Sequence, residues 1–169
     1  QLEALQLPGL CARQRIDDLT RPDRVIVMLG AVCHDFGKPA TTAFVDGRIR
    51  SLDHEEQGVA PAARFLDRLN IQSIGGRPAR DLILGLVAHH LKPGMLYKRR
   101  DEVTDAAFRR LSLKVDLELL ARLAQERLDA HEVGLREVAG GELVGDAAVV
   151  LVQRNRLEVE NAVGPHFGG

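Results

Sequence analysis

Apolar residues recur along this chain at helical spacing, and alternation of apolar with polar positions is scarce. The densest run lies in residues 22–36. Val25, Ile26, Val27, Met28, Leu29, Ala31 and Val32 predict a buried helix there, opened near Pro22 and stopped by Gly37 and Pro39. Residues 40–52 break the pattern. Asp46-Gly47 predicts a turn between two short strands, 41–45 and 48–52. Asp53-His54-Glu55-Glu56 has the D-x-x-E form of a helix entrance. The helix it opens runs toward Leu69, with Val59, Ala62, Ala63, Leu66 and Leu69 on one face. Pro61 either kinks this helix or marks its true start. Gly75-Gly76 is a break, and Pro78 opens a helix to about Leu91 that Pro93 closes. Further helices are expected at 104–112, 115–135 and 146–160, with loops at Gly140-Gly141 and 164–169. The expected fold class is all-α, with at most one small β-hairpin near 41–52.

Composition narrows the picture. The chain has 169 residues, 45% apolar and 28% charged, which predicts one globular, soluble domain with a real core. Aromatics are 4% and Trp is absent, which argues against base recognition on an aromatic platform. Net charge is −1, so any nucleic-acid contact must be local. Cys11 and Cys33 form no CxxC pair, and both are expected to be reduced and structural, as in a cytoplasmic protein. The run from Val25 to Cys33 is too short to span a bilayer, and no membrane association is expected. The chain begins at Gln1, so a processed product or a fragment of a longer chain is expected.

The candidate chemistry begins with "LGAVCHDFGKP", where His34 and Asp35 close the apolar run. Neighbours on a helix point about 100° apart, so both can meet one ion only near a helix end, which Gly37 supplies. Gly30 and Ala31, one turn back, would let another helix approach closely. Lys38 could pair with the helix C-terminus or reach a substrate phosphate. His54 sits at a helix start, where an imidazole suits a divalent metal. Of the adjacent His89 and His90, the wheel places His90 at the centre of the Leu82, Ile83, Leu86 and Val87 face and His89 at its edge. An inward His needs a partner. His90 is therefore the candidate ligand and His89 a rim residue.

The strings "CHDFGKP", "GRIRSLDHEEQG" and "LVAHHLKPGMLY" together resemble the HD superfamily of metal-dependent phosphohydrolases. More narrowly, they resemble the HD domain of bacterial tRNA nucleotidyltransferases, the CCA-adding and poly(A)-polymerase relatives. The similarity covers about residues 25–160. It implies a helical bundle forming a single HD domain over 1–169, with its core at about 22–160. It also implies one or two divalent metals, of the Mn, Fe, Co, Ni, Zn or Mg group. The implied activity is metal-assisted hydrolysis of nucleotide or RNA-end phosphoesters, of 2′,3′-cyclic or 2′-phosphate type. The substrate would be a nucleotide or an RNA 3′ end, including that of tRNA. His34, Asp35 and His90 would hold the ions, His54 a second ion or the phosphate, and Lys38 the phosphoryl charge. Asp35, Lys38 and His54 are the residues placed in the catalytic step.

Two positions depart from the family pattern. No His precedes His34, and "LARLAQER" puts Arg127 where the pattern has an Asp. On the wheel of residues 117–135, Asp129 falls off the apolar face, whereas His131 falls on it. His131 is thus a candidate substitute ligand or a core histidine. These departures define the rival expectation, a non-catalytic RNA-holding or structural HD module with a degenerate metal site. The chain also lacks the G-S and D-x-D pattern of a nucleotidyltransferase head.

Overall fold

The computed structural model describes residues 18–99 and 102–124. The apolar run forms helix α1, Arg21–Cys33. Thr20 starts it, its hydroxyl accepting from the Asp23 backbone N–H at 3.3 Å, and Pro22 lies in the first turn where no N–H is needed. Ile26, Val27, Gly30 and Cys33 are buried, while Met28 and Val32 are 55% and 56% exposed. The helix is therefore one-sided rather than buried all round, because its apolar residues exceed the one stripe that a neighbour covers.

That neighbour is α5, Ala79–His89, which buries Ile83, Leu86 and Val87. Gly30 sets the distance between the two helices. A Cβ on it would lie 2.9 Å from Leu86 Cδ1, so the small residue permits the approach expected from its position. Helix α4, Val59–Arg68, adds Ala62 and Leu66 to the same core. Pro61 is the third residue of α4, where its missing N–H costs nothing, so the helix starts there instead of kinking.

Between α1 and α4 the chain makes four short elements. Helix α2, Lys38–Thr41, leads into strand β1, Thr42–Val45, which pairs antiparallel with β2, Arg48–Ser51. Asp46 and Gly47 have φ of 51° and 74°, the left-handed pair that a two-residue hairpin turn requires. Helix α3, His54–Gln57, follows. Its entrance differs from the expected cap. Asp53 stands at the N-cap with φ 57° and makes no side-chain capping bond, so it redirects the chain by its backbone.

Gly75 and Gly76, both with positive φ, form the expected break, closed by an Ile74–Arg77 bridge. Pro93 does not end the helical region as expected. It is the second residue of α6, Lys92–Lys98, a first-turn position that proline suits as well as a stop. Helix α7, Asp105–Ser112, buries Phe108 and Leu111, and residues 117–124 are helical. Asp116 Oδ1 accepts from the Glu118 and Leu119 backbone N–H groups at that start. Arg77 ties it to the start of α1, with Nε 3.2 Å from Asp23 and a terminal nitrogen 3.0 Å from Asp116.

Cys33 is buried, and burial pushes its thiol up to about 11, so the thiolate needed for metal or disulfide chemistry is disfavoured. Cys11, Gly140-Gly141, the helix at 146–160 and the remainder of that at 115–135 lie outside the described residues. Among the described residues no helix is long and apolar enough to cross a membrane.

Candidate metal centre

Of the four histidines of the expected site, the three among the described residues stand at helix ends. His34 caps the C-terminus of α1, His54 begins α3, and His90 caps the C-terminus of α5. The last carbonyls of a helix lack intrahelical partners. His34 Nδ1 lies 2.7 Å from the Ala31 carbonyl and His90 Nδ1 2.8 Å from that of Val87, each three residues back. His54 Nδ1 lies 2.7 Å from the Ser51 carbonyl, at the end of β2. A carbonyl can only accept, so each Nδ1 carries the proton and donates it. In the neutral ring this leaves Nε2 of His54 and of His90 with its lone pair, the tautomer of a metal-binding histidine with a backbone second shell, whereas His34 Nε2 faces the Asp35 carboxylate.

These lone pairs converge. His54 Nε2 and His90 Nε2 are 3.2 Å apart, and Asp35 Oδ1 is 3.6 Å from His54 Nε2. Asp35, His54 and His90 each offer a donor atom, all within 4.8 Å of one another. His54 and His90 are only 7% and 2% exposed. The two Nε2 atoms, 3.2 Å apart with the Asp35 carboxylate beside them, are placed to share one cation. Two imidazoles and a carboxylate make a donor set that a divalent ion fits.

His34 stands at the edge of this group. Its Nε2 is 3.1 Å from Asp35 Oδ2, and its ring meets that of His90 edge-on at 5.2 Å. The Lys38 ammonium is 2.7 Å from Asp35 Oδ2, so it pairs with the side chain of the HD turn rather than with helix carbonyls. Its side chain is 45% exposed, which leaves it at the mouth. His131 lies outside the described residues. His89 is half-buried beside the centre and does not enter it.

Burial, then Lys92 and Lys114, hold His89 below the ordinary histidine range. A histidine whose folded pKa is depressed adds stability above its unfolded value, about 6.5, and that stability is lost as pH falls through the folded value. Melting curves from neutral pH to pH 5 should therefore show a weaker acid dependence for His89→Gln than for the wild type. Parallel curves for the two proteins would remove His89 as a source of acid sensitivity.

Two features escaped the sequence. Gly37 lies against the backbone of α3, where a Cβ would come within 2.0 Å of the His54 carbonyl oxygen and 2.7 Å of the Gly58 nitrogen. Its φ of −80° is open to any residue, so contact rather than conformation demands glycine. Glu55 is the second. Its Oε2 is buried without a hydrogen bond among the described residues and lies 3.8 Å from His54 Nδ1. Adjacency to His54 was the only sequence signal for it.

Comparisons with curated proteins and with solved structures returned no match. A family model described as HD domain matches residues 9–168, a range that includes His34, Asp35, His54 and His90. With nearly the whole length matched, and the histidines and the aspartate gathered at one place, the chain belongs to the HD domain family.

Proposed function

We propose that this protein hydrolyses nucleotide or RNA-end phosphoesters, of 2′,3′-cyclic or 2′-phosphate type, at a divalent-metal centre held by Asp35, His54 and His90. HD domains are in general metal-dependent phosphohydrolases. The observation that carries the assignment to these residues is the facing of two Nε2 lone pairs at 3.2 Å beside a carboxylate. A divalent ion bound there supplies Lewis-acid charge and an activated water.

The protein's own groups do the rest. The three backbone carbonyls hold the rings in place, so the site is organised before any ligand arrives. The buried faces of His54 and His90 keep bulk water from the nitrogen side. Lys38, half exposed and beside Asp35, is placed to meet negative charge on a phosphoryl oxygen. His34 backs Asp35 and offers a further nitrogen at the rim. The narrower kinship with tRNA nucleotidyltransferase HD domains rests on "CHDFGKP", "GRIRSLDHEEQG" and "LVAHHLKPGMLY". It makes RNA 3′ ends the first substrates to try.

The purified protein should retain Mn, Fe, Co, Ni or Zn on elemental analysis. Loaded with metal, it should hydrolyse 2′,3′-cyclic AMP, 2′-AMP or 3′-AMP. Asp35→Asn keeps the shape and removes the charge, so it should lose both metal and turnover. Loss of second-shell support alone costs about 10–100-fold, and loss of a direct ligand should exceed that. A wild type that stays metal-free after reconstitution with each of these ions would end the assignment.

A further inference from the structure

The charge balance of the centre points to a group outside the three donors. Lys38 sits 2.7 Å from Asp35 Oδ2 and offsets its charge, while His54 and His90 meet a cation as neutral rings. Together these four side chains bring no net negative charge to a divalent ion. Of the acidic side chains next to His54 in the chain, Asp53 and Glu56 are exposed, and solvent screens their charge. Glu55, the second residue of α3, is held inward, with its side chain 17% exposed. Its Oε2 is buried without a hydrogen bond among the described residues and faces His54 Nδ1 at 3.8 Å. A buried carboxylate oxygen without a donor is destabilising. An acid in a first helical turn could meet the helix start equally well from solvent, so α3 alone gives no reason to hold it inward.

We propose that Glu55 is a positioning residue of the metal centre, whose carboxylate strengthens cation binding through the His54 ring. This rests on the metal-centre assignment above and on no choice of substrate. The hydrogen bond from His54 Nδ1 goes to the Ser51 carbonyl at 2.7 Å, a neutral acceptor that fixes the ring. Glu55 adds the negative charge that this carbonyl lacks. A cation at Nε2 draws electron density through the ring and makes the Nδ1–H side more positive. A carboxylate 3.8 Å from that nitrogen, largely shielded from solvent, stabilises the polarised ring and with it the bound ion. Glu55 is not among the donors that gather within 4.8 Å, so it acts from behind His54 and not as a ligand. Its orphaned oxygen lowers the stability of the metal-free fold, and the gain appears only when the ion is bound.

The test compares wild type, Glu55→Gln and Glu55→Asp by isothermal titration with manganese and by the melting temperature of the metal-free protein. Glu55→Gln keeps the size and removes the charge. Its affinity should fall on the order of 10-fold, as for loss of an outer partner of a ligating histidine. Its metal-free melting temperature should stay level or rise, because an orphaned buried charge is gone. Glu55→Asp keeps the charge on a shorter stem and should recover part of the affinity. A side chain that only supports the fold would give the reverse for Glu55→Gln, a lower melting temperature with unchanged affinity, and that result overturns the proposal. Equal affinity loss from both variants also overturns it, since length and not charge would then be the cause. A wild type that binds none of the ions named above removes the centre, and the role of Glu55 with it. A wild type that binds manganese no better than Glu55→Gln removes Glu55 alone.

Discussion

Gly37→Ala should lower both stability and metal affinity, more than any other methyl-sized change near the centre. The added Cβ would meet the His54 carbonyl oxygen at 2.0 Å, a separation that no rotamer relieves because both atoms are tied to backbone. The turn after α1 must then lift away from α3. Overpacking of this kind costs about 1–3 kcal/mol and sometimes more. For a chain of this length each kcal/mol moves Tm by about 2–4 °C, so a fall on the order of 5–10 °C is expected by calorimetry. The same movement separates Asp35 from His54, which sit on the two sides of that contact. Manganese affinity by isothermal titration should fall at least about 10-fold, as for loss of second-shell support. Gly58→Ala is the graded control. Its Cβ would lie 2.9 Å from the same oxygen and 3.3 Å from Val87 Cγ1, so smaller losses in the same direction are expected. A Gly37→Ala protein that melts and binds manganese like the wild type would show that the contact does not hold the centre together.

Much of this arrangement could be read along the chain because its signals are local. Periodicity and Pro22 locate α1, Asp46-Gly47 fixes the hairpin turn, and the wheel separates His90 from His89. What the one-dimensional pattern could not carry was contact between elements. Gly37 lies two residues before Pro39, a spacing that suggests a helix stop. Only the fold reveals the α3 backbone resting on it. The ring-to-carbonyl bonds three residues back are local, but they depend on helices that end at His34 and His90, and terminal boundaries are the least legible part of a helix. Pro93 shows the same weakness. A proline three residues beyond a helix marks a stop and a first turn equally well, and here α6 begins at once. Lys38 was left between two partners by sequence. Its 2.7 Å approach to Asp35 follows from α2 starting immediately after the HD turn, a four-residue element too short for periodicity to announce.

The second large effect separates two adjacent histidines. His90→Ala should abolish metal retention, whereas His89→Ala should leave it within a few-fold. His90 is 2% exposed, donates to the Val87 carbonyl at 2.8 Å, and points Nε2 at His54. Its removal deletes a direct donor, leaves a buried carbonyl unsatisfied and opens a hole between α5 and the HD turn. An unsatisfied buried acceptor alone costs about 1–3 kcal/mol, which is several degrees of Tm at this size. Metal affinity should fall by more than the 10–100-fold typical of an outer-shell loss. His89 has none of these ties. It is half-buried, its Nδ1 finds no hydrogen bond among the described residues, and burial together with Lys92 and Lys114 disfavours its charged form. Truncating such a group should change stability by about 0.5 kcal/mol or less near neutral pH. His90→Gln adds a control for packing, because it fills much of the hole yet offers no imidazole nitrogen. It should recover part of the Tm and none of the metal. Equal metal loss from the two alanine variants would mean that the phase of α5 places both rings in the centre. Metal retained by His90→Ala would remove His90 from the ligand set and leave Asp35 and His54 short of a site.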